Sequence, residues 1–154
     1  MANTYSQLYV HLVFAVGNHR DNAISPLWRD KLYAYIGGII KGRGHKLMAI
    51  GGMEDHVHLF VSMLPKDSVS DLVQIVKIQS TKWVHGEGLT KSVFKWQSGF
   101  GAFTYSKSQV PNVVRYIQHQ QEHHRGSTFI EEYRMMLDKF EVSYDENYLF
   151  KPLT

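Results

Sequence analysis

Glu54-Asp55-His56-Val57-His58-Leu59-Phe60-Val61 is the segment around which the rest of the chain can be arranged. Successive side chains of a β-strand point to opposite faces, so this alternation places both histidines on one face and the aliphatic residues on the other. Two imidazoles one residue apart on a rigid strand supply half of a divalent-metal site. A His-x-His pair also arises by chance from ordinary buried or half-exposed histidines. The metal site therefore needs a third ligand from elsewhere in the chain.

The composition is that of an ordinary globular protein. With 154 residues, of which 44% are hydrophobic and 20% charged, the chain fits one domain, residues 1–154, with a sizeable core. The sequence contains no cysteine, which excludes a disulfide framework, a thiolate zinc site and a cysteine nucleophile. This is compatible with a reducing cytoplasm, where we expect the protein to be located.

Charge and hydropathy limit the partners. The apolar run from Leu8 to Val16 lacks the features of a signal peptide and is too short to span a bilayer, so we expect no membrane partner. The net charge of +3 permits nucleic-acid binding without requiring it.

Hydrophobic periodicity predicts alternating strands and helices. The predicted strands cover residues 5–16, 45–52, 55–64 and a glycine-interrupted fourth strand formed by 92–96 and 101–106. The predicted helices begin at Ser25-Pro26 and at Val69, the first ending at Gly42 and Gly44 and the second near Val84. This β-α-β-β-α-β order predicts an α+β, ferredoxin-like fold, with an antiparallel sheet and helices on one face. Two further helices, residues 109–124 and 129–140, are predicted beyond this core.

Two helices carry polar residues of interest. Tyr116 and Gln120 are four residues apart on the third predicted helix and would be neighbours on one face. Lys77 and Lys82 belong to the polar face of the second helix, which could be plainly solvated or could contact a nucleic-acid backbone.

In these features the chain resembles the HUH-type single-tyrosine transposases of small bacterial insertion sequences, which include the REP-associated tyrosine transposases. The likeness extends over nearly the whole chain, and the joint order and spacing of the motifs are more specific than any one of them. The matching parts are His56-Val57-His58, the segment 95–103, and Tyr116-Ile117-Gln118-His119-Gln120.

The resemblance implies a reaction and its residues. His56 and His58 would bind the catalytic metal, Gln120 would complete the protein ligands, and Tyr116 would be the nucleophile. Members of the family cleave single-stranded DNA near hairpin ends, form a covalent 5′-phosphotyrosine and rejoin strands. A site of two imidazoles and one amide oxygen leaves positions open for phosphate oxygens, as Mg²⁺ or Mn²⁺ would need. The sequence does not identify the group that takes the phenol proton.

The resemblance also implies partners. Family members are typically homodimers in which the tyrosine helix of one subunit completes the histidine site of the other, so we expect a homodimer with shared sites. Lys77 and Lys82 would contact the backbone of single-stranded or hairpin DNA, and Trp96 and Phe100 would stack on unpaired bases. A packed sheet edge explains these two aromatic residues equally well.

Two other functions stay open at this point. His119-Gln120-Gln121-Glu122-His123 fits the inverted zincin pattern, in which two histidines one helical turn apart bind zinc and a glutamate acts as base. A non-catalytic module that binds hairpins or single strands without cutting them would use the same scaffold.

Overall fold

The elements follow one another in the order β-α-β-β-α-β, with further helices towards the C-terminus. A computed structural model describes residues 3–154. The strands are β1 (Tyr9–Ala15), β2 (Lys46–Gly52), β3 (His56–Ser62) and β4 (Gly101–Thr104). The helices are α1 (Arg29–Gly42), α2 (Val69–Glu87), α3 (Val110–Gln118), α4 (Gln120–His123) and α5 (Phe129–Lys139). No helix in this part of the chain is long and apolar enough to cross a membrane.

The four strands form one sheet in the order β2-β3-β1-β4. All three neighbouring pairs are antiparallel, and β3 lies between β1 and β2. The predicted α+β class with an antiparallel sheet is therefore confirmed. Because β3 has a strand on each side, its backbone is fixed along its whole length and its side chains are held in register.

Helices cover both faces of the sheet. On one face Phe14 packs edge-on against Trp96, whose indole nitrogen donates to Ser80 of α2, and Leu47 lies beneath Gly37 of α1. The opposite face carries His11, His56 and His58 and is covered by α3, α4 and α5; we call it the histidine face. The prediction placed the two helices of the ferredoxin-like core on one face. The additional C-terminal helices cover the other face and bury its histidines.

A glycine on β2 allows α3 to lie directly on the sheet. A Cβ atom built on Gly51 would lie 2.1 Å from the carbonyl oxygen of Ile117 on α3. Gly51 is also the register partner of His58. The contact between backbone and backbone therefore fixes α3 beside the histidine strand, where Ile117 and Phe60 belong to a small apolar cluster.

Several boundaries differ from the predicted ones. The first strand begins at Tyr9, and the fourth contains only Gly101–Thr104; Trp96, in the predicted first half of that strand, forms an isolated bridge with Val16. The first helix begins at Arg29, because Ser25 caps a preceding turn, where its Oγ accepts from the amide of Leu27 at 3.1 Å.

The helix predicted over residues 109–124 is not continuous. His119 leaves the helical conformation (φ −108°, ψ 29°) and separates α3 from α4. The helical pattern of the side chains could not indicate this break, because neither proline nor glycine occurs at it. Tyr116 and Gln120 consequently belong to two different helices, although both point towards β3.

Candidate active site

The two histidines of β3 converge on a common point. His56 and His58 are both fully buried, and their ring centroids are 4.9 Å apart. The Nε2 atom of His56 is 3.0 Å from Oε1 of Gln120, and the Nε2 atom of His58 is 3.1 Å from Oε1 of Glu132. The structure thus brings Gln120 next to the histidine pair and adds a carboxylate.

Glu132, on the first turn of α5, is the centre of the site. Its side chain is 2% exposed. With His56 and His58 it forms the one group of three histidine or acidic side chains within residues 3–154 that is close enough to hold a metal ion. The ligand atoms of these three side chains lie within 4.8 Å of one another. The side chains that contact its carboxylate are those of His56, His58, Tyr116, Gln120, His123 and His124. Burial alone raises the pKa of Glu132, but hydrogen bonds from His124 and His58 hold it well below its usual range. The carboxylate is therefore ionised.

Sequence reasoning missed Glu132, although a signal was present. Phe129, Tyr133, Met136 and Leu137 form the apolar stripe of α5, and Glu132 lies on the same stripe at helical spacing. A carboxylate on the buried face of a helix needs cationic or hydrogen-bonding partners. The pattern could have shown that Glu132 has such partners, but not that they are the histidines of β3.

Each of the two β3 histidines has a second partner on its other nitrogen. Nδ1 of His56 is 2.6 Å from Oδ1 of Asp55, and Nδ1 of His58 is 2.7 Å from Nε2 of the fully buried His11. A carboxylate at Nδ1 accepts its proton and leaves the lone pair on Nε2, the arrangement usual for metal-binding histidines. Burial lowers the pKa of His58 to about 4, so this imidazole is neutral near pH 7.

The donor set fits a divalent cation. Nε2 of His56 lies 3.0 Å from the amide oxygen of Gln120, and Nε2 of His58 lies 3.1 Å from a carboxylate oxygen of Glu132. The ligand atoms that His56, His58 and Glu132 can offer lie within 4.8 Å of one another, and the charge of Glu132 would partly balance a cation. Two imidazoles, an amide oxygen and a carboxylate oxygen are thus available as ligands.

Tyr116 reaches the same carboxylate from α3. Its hydroxyl donates to Oε2 of Glu132, while Oε1 faces the histidines, and its ring centroid is 5.8 Å from that of His58. Burial and the negative charge of Glu132 raise the pKa of Tyr116 above its ordinary value. In this state the phenol is protonated, and it donates to the ionised carboxylate of Glu132. All these residues come from one chain.

Three of the four residues predicted to contact DNA have internal partners. Lys77 donates to the carbonyl oxygens of Gln97 and Gly99 at 2.9 and 2.6 Å, and burial lowers its pKa to about 8. Trp96 is 9% exposed, and Phe100 packs against the core. These contacts position the loop before β4.

The fourth residue predicted to contact DNA, Lys82, is exposed on α2. This helix covers the face of the sheet opposite to the histidine face. The structure therefore does not bring any of these four residues next to Tyr116.

The inverted zincin pattern does not form a ligand group within the described residues. His119 is exposed, and its Nδ1 lies 2.7 Å from the carbonyl oxygen of Arg115. His123 faces Glu132, with 3.5 Å between Nε2 and Oε2. The two histidines of the pattern thus have separate partners.

Residues 4–120, more than half of the chain, match the family described as IS200-like transposases. No curated protein matches the sequence. Among solved structures, a candidate transposase of Deinococcus radiodurans superposes with a TM-score of 0.62 at 22% identity, covering 78% of this chain and 95% of that one. A REP-associated tyrosine transposase bound to a REP hairpin superposes with a TM-score of 0.56 at 17% identity, covering 98% and 91% of the two chains. At these identities the two superpositions show the fold alone. The match over residues 4–120 shows that the chain belongs to the family of IS200-like transposases.

Proposed function

We propose that this transposase cleaves and rejoins single-stranded DNA at hairpin-bearing ends through a covalent 5′-phosphotyrosine on Tyr116. The observation that carries the proposal is that Glu132 joins the two halves of the site. One of its oxygens faces His56 and His58, and the other accepts the hydroxyl of Tyr116. A nucleophile and a set of metal ligands that share one buried carboxylate are suited to act on the same phosphate.

The proposal includes a divalent cation, Mg²⁺ or Mn²⁺, held by His56, His58, Gln120 and Glu132. When bound, such a cation polarises a phosphate oxygen and stabilises the charge of the transition state. The protein fixes its ligands in advance, because Asp55 orients the first imidazole and a buried histidine orients the second.

Tyr116 carries the covalent steps, and Glu132 orients its hydroxyl. The phenol oxygen attacks the scissile phosphorus as the bond to the 3′ oxygen breaks, and the phenol proton ends on that oxygen to leave a 3′-hydroxyl. In the second step a 3′-hydroxyl attacks the phosphotyrosine, and the phenol is released. The bond energy is conserved between the two exchanges, so no external energy source is needed.

Hairpin DNA is the proposed partner. This proposal is supported by the shared fold with the REP-associated tyrosine transposase that is bound to a REP hairpin. Lys82 is available at the surface for a backbone contact, whereas Lys77, Trp96 and Phe100 would have to leave their present partners to touch DNA. A DNA substrate also supports the expected cytoplasmic location. The homodimer with sites shared between subunits stays a prediction.

The first experiment is a denaturing gel of protein incubated with labelled hairpin oligonucleotides taken from both flanks of its own coding region. The wild-type protein should form a covalent adduct with Mg²⁺ or Mn²⁺ and none with chelator. Tyr116→Phe should still bind the hairpin and form no adduct, because only the nucleophilic oxygen is removed. Tyr148→Phe, which changes a tyrosine 87% exposed, is the matched control and should form the adduct.

An adduct that persists in Tyr116→Phe would exclude this nucleophile. Tight hairpin binding that is the same with and without metal, and never covalent, would instead identify a non-catalytic binding module.

A further inference from the structure

An open cleft adjoins the candidate active site and is not used by the chemistry described so far. It lies between α3 and α5, has a volume of about 450 Å³, and has Tyr116, His123 and Glu132 in its lining. This volume lies within the range of small-molecule sites, about 300–1,000 Å³. Whatever occupies the cleft is adjacent to the reacting hydroxyl.

The walls of the cleft are aromatic and apolar. The rings of Tyr105 and Phe140 meet edge to face with centroids 5.4 Å apart, and Met136 from α5 adds a polarisable thioether. Met135, 68% exposed, is part of the lining as well. Such surfaces suit a flat heteroaromatic ring.

Apart from Tyr105, Tyr116, His123 and the carboxylate of Glu132, the polar side chains of the lining are Gln109, Asn112 and Lys139, which offer hydrogen-bond donors. Oε1 of Gln109 accepts from the amide of Ser106 at 3.1 Å, and Oδ1 of Asn112 accepts from Arg115. The amide NH₂ groups of Gln109 and Asn112 have no hydrogen bond to another described residue. The ammonium of Lys139 lies 5.8 Å from the centroid of the Phe140 ring. Beside the ionised carboxylate of Glu132, the lining therefore offers two neutral donors and one cation.

We infer that this cleft binds the base of an unpaired nucleotide adjacent to the scissile phosphate. Base edges carry carbonyl and ring-nitrogen acceptors that match the two amide donors, base faces match the aromatic walls, and the ammonium suits a neighbouring phosphate. The inference rests on the proposed function, since the substrate strand must pass Tyr116. It makes Gln109 and Asn112 specificity-determining residues for the nucleotide beside the cleavage point.

Methionine methyl resonances report occupation of the cleft without cleavage. Full-length protein with ¹³C-labelled methionine methyl groups is titrated with each of the four deoxynucleoside 5′-monophosphates and, as a control without a base, with 2-deoxyribose 5-phosphate. At least one nucleotide should shift Met135 and Met136 through the ring current of its base, while Met63, buried in the main core, stays unchanged. Absence of these shifts with all four nucleotides, or equal shifts with the sugar phosphate, would overturn the inference.

Variants separate base recognition from folding. Phe140→Leu keeps the apolar volume but removes the aromatic face, and it should weaken binding of the best nucleotide about tenfold. Asn112→Ala should reduce the preference among the four bases, whereas Gln118→Ala, at an exposed amide of the same helix outside the cleft, should not. An unchanged affinity in Phe140→Leu, with the Met63 resonance intact, would refute the base-stacking role. Because nucleotide binding requires neither metal nor an adduct, this result is independent of the test of Tyr116 as nucleophile.

Discussion

Replacing Gly51 with alanine is expected to push α3, the helix that carries Tyr116, away from the sheet. The new Cβ atom would lie 2.1 Å from the carbonyl oxygen of Ile117, where side-chain carbons essentially never approach closer than 3.0 Å, so the backbone must separate by about 1 Å. Overpacking of this kind costs about 1–3 kcal/mol of the free energy of unfolding. Ile117 follows Tyr116 directly, and a misplacement of about 1 Å at a reacting group reduces the rate on the order of 100-fold.

The assay pairs denaturant unfolding with the rate of adduct formation on the hairpin substrate. Gly38→Ala is the matched control, because it lies in α1 with no atom within 4 Å of the added Cβ; it should raise the free energy of unfolding by about 0.5–1 kcal/mol. It should leave adduct formation unchanged. A Gly51→Ala protein with wild-type stability and a wild-type adduct rate would refute the conclusion that this backbone contact positions α3.

Three other predictions concern the metal site and its assembly. Glu132→Gln should weaken Mn²⁺ binding, measured by calorimetry, about 10- to 100-fold, whereas Glu131→Gln at the exposed neighbouring position should not; equal affinities would remove Glu132 from the ligand set. His11→Phe keeps an aromatic ring but removes the hydrogen-bond partner of His58, so Mn²⁺ affinity should fall about tenfold. Circular dichroism should show that the protein stays folded, and an unchanged affinity would show that His11 does not orient His58. A mixture of Tyr116→Phe and His58→Ala proteins should form no adduct if each chain uses its own tyrosine; recovery of activity would establish sites shared between subunits.

The local pattern of hydrophobic and polar residues was sufficient to predict most of the fold. The element order could be predicted because each signal depends on residues close in sequence. These signals are the alternation of apolar and polar residues in β3 and β1, the helical periodicity of apolar residues in α2, and the serine and proline before α1. The break at His119 could not be predicted, since it has no local signal. Lys77 and Trp96 could not be assigned to packing or to DNA binding from the sequence, because both roles use the same amphipathic side chains.

The sequence by itself determined the kinds of chemistry available to this protein. It excludes thiolate ligands, places two histidines on one face of a strand, and spaces Tyr116 and Gln120 four residues apart, all from residue type and spacing. Only the tertiary structure decided that these groups meet at Glu132, which is 74 residues from His58. The docking of α5 on the histidine face depends on packing between distant segments, and this long-range packing supplies the carboxylate that connects the tyrosine to the histidine pair.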